Sequence, residues 1–120
     1  TKEGAFCWAE LLTDNVDKAQ SFYTRLFPWK TKAEDTSYTE WQLDEQSIGG
    51  LMTIPKEAKG MPPSWMPYFT VVDVKKTVEL VKKNGGRVLN GPMEIPKVGQ
   101  FATVTDPVGA VFNLYQSARK

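Results

Sequence analysis

The stretch AFCWAELLTDNVDKAQSFYTRLF, residues 5–27, decides the fold because its hydrophobic period changes halfway along. In the first half apolar and polar residues alternate, which predicts a β-strand with Trp8 and Glu10 on one face. Asp14 or Asn15 then supplies a helix cap, and apolar residues recur at helical spacing over 16–27 until Pro28 ends the pattern. The stretch therefore predicts a strand that leads directly into an amphipathic helix.

Three further strands are predicted at 29–34, 38–43 and 47–54, in runs bounded by polar turns. The last run contains Gly49-Gly50, and glycines inside a strand suggest a bulge or the close approach of another group. The first half of the chain thus has the order βαβββ.

The same order of elements returns about 58 positions later, which takes Asn15-Val16 onto Asp73-Val74. A strand at 66–72 leads into a helix that Asp73 caps and Gly85-Gly86 ends. Three more strands are predicted at 87–89, 100–105 and 110–116.

We therefore predict a single domain over residues 1–120, built from two modules. Module one covers about 5–54 and module two about 66–117. The proline-rich segment 55–65 between them is the predicted linker.

The charge balance disfavours several classes of function. The 120 residues carry 15 Lys plus Arg and 14 Asp plus Glu, a net charge of +1, so neither a nucleic acid nor a membrane is an expected partner. No apolar run reaches the ~18–20 residues of a membrane span, no signal peptide is visible, and the lone Cys7 forms no internal disulfide. We expect a cytoplasmic protein.

Three stretches of the chain carry a family resemblance. They are the strand and helix from Trp8 to Tyr23 with LFPW at 26–29, the segment YFTVVDV at 68–74 with Gly85-Gly86, and TDPVGAVFNL at 105–114. Together they resemble the vicinal oxygen chelate superfamily of glyoxalase I, bleomycin-resistance proteins and extradiol dioxygenases, in particular its bacterial glyoxalase-like branch. The resemblance implies an α+β fold in which two βαβββ modules form a cupped, mostly antiparallel eight-stranded sheet with the helices on its outer side.

Metal-dependent members of that superfamily hold a divalent ion in the cup as a Lewis acid. Carried onto this sequence, the ligand positions fall on Trp8, Met66 and Asn113, with a fourth near Gly50 or Met52. An indole has only an N–H donor, a thioether is a poor ligand for a hard cation, and the chain contains no histidine. We therefore expect no metal and no other cofactor, and we assign no catalytic residue.

The inward positions of the implied cup predict a face of aromatic and apolar side chains with a few polar points, which is typical of small-molecule sites. The residues assigned to ligand binding are Trp8, Glu10, Met52, Met66, Tyr68, Phe101, Asn113 and Tyr115. The rings would stack on a flat or cationic ligand. Trp41 and Trp65 are candidates for the mouth of the cup. The alternative for Trp65 is that it plugs the edge where the linker crosses. That the aromatic residues fill the cup or bury a dimer interface stays open.

The leading hypothesis is a metal-independent small-molecule binding protein of the glyoxalase or bleomycin-resistance type, with Glu10 and Asn113 as orienting groups. Its expected partners are a small organic molecule and, in a homodimer, a second copy. The alternatives are a metal-dependent lyase or dioxygenase of the same superfamily with ligands elsewhere, and a non-catalytic interaction module with a filled cup. The missing ligands favour a protein that is not an enzyme, but the question stays open.

Overall fold

The computed structural model describes residues 2–33, 38–56 and 60–118. Within them the chain forms eight strands and two α-helices in the order βαβββ followed by βαβββ, so the α+β class and the repeated order are confirmed. The elements are β1 (Phe6–Thr13), α1 (Val16–Leu26), β2 (Lys30–Ala33), β3 (Tyr38–Leu43), β4 (Gln46–Thr53), β5 (Ser64–Thr70), α2 (Val74–Lys83), β6 (Arg87–Ile95), β7 (Gly99–Thr105) and β8 (Val111–Ser117). Strand pairing is mostly antiparallel, while β1 with β4 and β5 with β8 are parallel.

The structure differs most from the predicted boundaries in β5 and β6. β5 begins at Ser64, so the last two residues of the predicted linker 55–65 belong to a strand. β6 continues to Ile95 because it pairs with β7 on both sides of Gly91-Pro92, with register shifts that accommodate the proline. Glu34 and residues 57–59, which belong to the predicted strand 29–34 and the linker, lie outside the described residues.

Side-chain caps begin both helices. The Asn15 side chain accepts a hydrogen bond from the Lys18 amide at 3.0 Å, and Asp73 accepts one from the Lys76 amide at 3.1 Å. These bonds pair N–H groups that the first helical turn leaves without a partner. The helices have 11 and 10 residues, and none in the described part of the chain is long and apolar enough to cross a membrane.

The chain divides into two compact units whose boundaries fall inside β1 and β5. The first unit is Trp8–Met66, and the second unit comprises the residues up to Cys7 together with those from Pro67 onward.

The first unit has the strand order β2-β3-β4-β1, and α1 packs against one face of this sheet. Leu11, Trp41 and Leu51 are at most 5% exposed on that face, and Val16 and Tyr23 of α1 pack against them. Because side chains alternate along a strand, their neighbours in sequence lie on the face opposite α1.

The second unit has the strand order β5-β8-β7-β6, and α2 packs against one face of it. Val74 and Val78 of α2 are buried against Ala102, Val104 and Leu114. The residues that alternate with these three lie on the face opposite α2.

Candidate functional site

The face of the first unit opposite α1 gathers the site residues predicted there. The β-sheet register aligns Glu10 of β1 with Gly50 of β4, and Gly50 with Glu40 of β3. In the neighbouring row, Met52 lies between Leu12 and Tyr38. Trp8 shares this face, because it is two residues before Glu10 on the same strand.

Three of these side chains form a hydrogen-bonded group. The Trp8 indole donates its N–H to the Tyr38 hydroxyl oxygen at 3.0 Å, and the Tyr38 hydroxyl hydrogen-bonds to the Glu10 carboxylate. Glu10 is only 8% exposed, whereas Trp8 and Tyr38 are half-buried. The only polar hydrogen of the Trp8 indole is used in this group. The indole nitrogen has no lone pair with which to accept a hydrogen bond or bind a metal.

The surroundings of Tyr38 keep it in the phenol form. Burial raises the pKa of its hydroxyl far above the ordinary value of 10.0, because a phenolate loses its hydration there. The Glu10 charge and the hydrogen bond to Glu10 raise the pKa further, as does the charge of Glu40, while the Trp8 N–H lowers it. Tyr38 therefore acts as a hydrogen-bond donor to Glu10.

Tyr38 is a residue of this face that the sequence analysis missed. Its ring lies against Gly50 so closely that a Cβ at position 50 would overlap the hydroxyl and the ring carbons. At Gly49 a Cβ would lie 2.6 Å from the Ala9 carbonyl oxygen, inside any normal contact. The glycine pair was interpreted as a bulge or a close approach. The structure shows close approaches, by the Ala9 carbonyl at Gly49 and by Tyr38 at Gly50, and also a register shift between Trp41 and Gln42 of the paired strand.

The face of the second unit opposite α2 gathers the remaining predicted residues. One row of this face consists of Tyr68, Asn113 and Thr103, from β5, β8 and β7 respectively. The next row contains Tyr115 beside Phe101. Tyr68, Phe101 and Tyr115 are half-buried.

Hydrogen bonds fix two side chains on this face. Thr103 donates its hydroxyl to the Asn113 amide oxygen at 2.6 Å, and Asn113 is only 3% exposed. The Tyr115 hydroxyl donates to the Val98 carbonyl at 2.7 Å, which leaves its ring as the part available for contacts. Thr103 was also missed; its place two residues after Phe101 on a strand was the available signal, since the two share a face.

Met66 and Trp41 are both buried. Met66 belongs to the first unit and is 4% exposed. The assignment of Trp41 to the cup mouth is wrong, because Trp41 is 1% exposed and packs with Leu11 and Leu51 beneath α1. Side chains alternate along a strand, so Trp41 lies on the face opposite to that of its neighbour Glu40. Trp65 is 40% exposed and donates its indole N–H to the Tyr23 hydroxyl at 3.1 Å.

The side chains at the carried-over ligand positions do not fit a divalent ion. The Trp8 indole offers no lone pair, Gly50 has no side chain, and the buried Met66 thioether is a soft donor. The Asn113 amide oxygen already accepts from Thr103. Among the described residues, no three His, Cys, Asp or Glu side chains come together in a group that would hold a metal.

Two surface depressions of the first unit lie away from the Trp8, Tyr38 and Glu10 group. One, of about 470 Å³, is lined by Pro28, Lys30, Gln42, Asp44 and Glu45. The other, of about 330 Å³, is on the outer side of α1 and is lined by Lys18, Ser21, Phe22, Arg25 and Leu26. Neither is lined by a residue predicted to bind ligand.

Residues 6–114 match the family model of the Glyoxalase/Bleomycin resistance protein/Dioxygenase superfamily. "Putative glyoxylase CFP32" of Mycobacterium tuberculosis (strain CDC 1551 / Oshkosh) is 34% identical over 119 residues, covering 96% of this chain and 45% of that protein. "Anthracycline biosynthesis protein DnrV" of Streptomyces peucetius is 29% identical over 129 residues, covering 94% of this chain and 47% of that protein. The chain spans about half the length of these two curated relatives.

A solved structure has the same fold. It is a glyoxalase/bleomycin resistance protein/dioxygenase superfamily member from Vibrio splendidus 12B01, with a TM-score of 0.66 and 17% identity. The match covers 94% of this chain and 100% of that chain.

Proposed function

The chain belongs to the glyoxalase/bleomycin resistance protein/dioxygenase superfamily, and from that membership we propose that it is a metal-independent protein that binds a small organic molecule. The observation that carries the proposal is the bond from Trp8 to Tyr38. At the first carried-over ligand position, the chain has a side chain that donates to a neighbouring phenol and has no lone pair for a metal.

The half-buried rings favour a flat ligand. Trp8 and Tyr38 in the first unit, and Tyr68, Phe101 and Tyr115 in the second, are half-buried aromatic residues. Each unit also has a buried polar residue on the same face, Glu10 in the first and Asn113 in the second. Aromatic surfaces with a few polar points are typical of sites for small organic molecules. The name of one relative refers to the biosynthesis of anthracyclines, which are planar, polycyclic compounds, and this supports a flat ligand.

Metal content tests the metal-independent part of the proposal. Protein purified without chelator is analysed by inductively coupled plasma mass spectrometry, and its thermal unfolding is followed with and without Ni²⁺, Zn²⁺, Fe²⁺ or Mn²⁺. We expect metal far below one ion per chain and an unchanged melting temperature, because a specific ion at 100 times its Kd would add about 2.7 kcal/mol of stability. Stoichiometric metal would instead support a metal-dependent lyase or dioxygenase whose ligands lie elsewhere.

Ligand binding is tested with 2-acetylnaphthalene and 2-ethylnaphthalene as planar probes, followed by tryptophan fluorescence in the presence of EDTA. We expect Trp8→Ala to weaken the affinity about fivefold through lost stacking. Trp65→Ala is the matched control, because Trp65 bonds to Tyr23 of α1 and we expect no change. If neither probe binds the unaltered protein, the result would support the alternative of a non-catalytic interaction module whose sheet faces are filled.

The homodimer expected from the sequence is a further part of the proposal. Sedimentation velocity at several protein concentrations tests it, and a single monomeric species throughout would contradict it.

A further inference from the structure

The bond between Thr103 and Asn113 fixes the orientation of the Asn113 amide. The two atoms that it joins are 2.6 Å apart. That distance is usual for O–H···O bonds and shorter than the 2.7–3.2 Å range of N–H···O bonds, about 2.9–3.0 Å being most common. The amide oxygen therefore accepts from the Thr103 hydroxyl, and the amide nitrogen points away from Thr103.

An asparagine side chain held in this way keeps its donors for other partners. One lone pair of its oxygen accepts from Thr103, while its NH₂ group has two hydrogens to donate. Within the described residues, the buried side-chain polar atoms without a partner are Trp41 Nε1 and Ser64 Oγ. The amide nitrogen of Asn113 is not one of these buried atoms without a partner.

The rings around Asn113 define the shape of what would meet that donor. Tyr68 is in register with Asn113, and Phe101 and Tyr115 form the adjoining row, all on the face opposite α2. Tyr115 uses its hydroxyl hydrogen for the Val98 carbonyl. The face thus combines flat apolar surfaces with a directed amide donor.

We propose that Thr103 is a positioning residue that holds Asn113 as a hydrogen-bond donor, so that this face selects planar ligands with an acceptor oxygen, of the aromatic ketone, quinone or carboxylate class. The proposal rests on the proposed function, since it names the class of ligand that the second unit's face takes. It also gives Asn113 a role opposite to metal ligation: the side chain donates to an oxygen of the ligand.

The two naphthalene probes test the proposal because they differ in one carbonyl oxygen. We expect the unaltered protein to bind 2-acetylnaphthalene about two- to tenfold more tightly than 2-ethylnaphthalene, which is the worth of one neutral hydrogen bond. Thr103→Val, which keeps the shape and removes the hydroxyl, should bring this ratio towards one. Thr103→Ser should restore it, and Thr70→Val, on the same face but without a bond to Asn113, should leave it unchanged.

A spectroscopic readout separates positioning from mere support of the fold. The side-chain NH₂ signals of Asn113, assigned by their loss in Asn113→Leu, should shift when 2-acetylnaphthalene is added and stay in place with 2-ethylnaphthalene. Asn113→Leu should lose the preference for the ketone while it still binds both probes. These readouts decide the matter even if Thr103→Val fails to fold.

The failures are distinguishable. Binding of both probes with equal affinity, or a preference that survives both Thr103→Val and Asn113→Leu, overturns the role of Thr103 and leaves the proposed function standing. If neither of the two probes binds the unaltered protein, the proposed function and this inference are both overturned.

Discussion

Tyr38 connects the polar and aromatic parts of the first unit's face opposite α1. Its hydroxyl accepts from Trp8 and bonds to Glu10, and its ring lies over Gly50. Each contact uses a different property of tyrosine, so no single substitution preserves all three. Phenylalanine keeps the ring and removes both hydrogen bonds.

The Tyr38 hydroxyl should titrate at a higher pH than an ordinary tyrosine. Subtracting the absorbance titration of Tyr38→Phe at 295 nm from that of the unaltered protein isolates it, and we expect a midpoint clearly above 10.0. Glu10→Gln should lower that pKa, because it removes a negative charge, whereas Trp8→Phe should raise it, because it removes a donor to the phenolate. Shifts of the same sign in both variants would contradict the assigned contacts.

The same raised pKa makes stability depend on alkaline pH. Above pH 10 the unfolded chain releases the Tyr38 proton while the folded protein still holds it, so folding stability falls as pH rises. Below pH 10 this contribution is fully present. Tyr38→Phe should therefore lose less stability than the unaltered protein between pH 10 and higher pH, measured by urea unfolding; equal losses would argue against the shift.

Gly50→Ala should destabilise the protein because the added methyl group meets the Tyr38 ring and hydroxyl. We expect a loss of about 1–3 kcal/mol of unfolding free energy, typical of overpacking. In a Tyr38→Ala background the same change should cost much less, since the obstructing group is gone. Equal costs in the two backgrounds, measured as a double-mutant cycle by chemical denaturation, would show that Tyr38 does not account for the glycine.

At the scale of elements, the two helices differ in how deeply they pack. Val74 and Val78 of α2 are 0% and 4% exposed, whereas α1 contains no residue buried to that extent. The pattern of the sequence predicted both helices and their capping positions, because caps and period are local. It did not predict this difference, since depth depends on what each helix meets in the folded chain.

Val74→Ala should therefore cost more stability than Val16→Ala, its counterpart 58 positions earlier. The two valines begin equivalent helices, so helix propensity affects both alike. We expect about 2 kcal/mol for the fully buried Val74 and about half of that or less for the half-buried Val16. Thermal or urea unfolding measures both, and equal losses would contradict the packing described here.

Strand ends were predicted less well than helix starts. β5 begins inside the predicted linker and β6 continues well past its predicted end. Strand length depends on a partner strand: β6 continues through Gly91-Pro92 because β7 supplies hydrogen bonds beyond the proline. Such a partner is distant in sequence and invisible to a local pattern.

At the scale of the whole molecule, the amino-acid order was enough to predict the α+β class, the repeated βαβββ order and membership of the superfamily. Hydrophobic period, caps and glycine positions act within a few residues, so they can be interpreted along the chain. The same alternation assigned Glu10 and Asn113 to sheet faces opposite the helices.

The stretch 5–27 thus determined that a strand leads into a helix and which side of the strand Trp8 takes. Tertiary structure alone decided that Trp8 meets Tyr38, that Gly50 makes room for that ring, and that Thr103 turns the Asn113 amide. The physical reason is distance along the chain: these partners are brought together by strand register, and hydrogen bonds form only where atoms from separate strands come within about 3 Å.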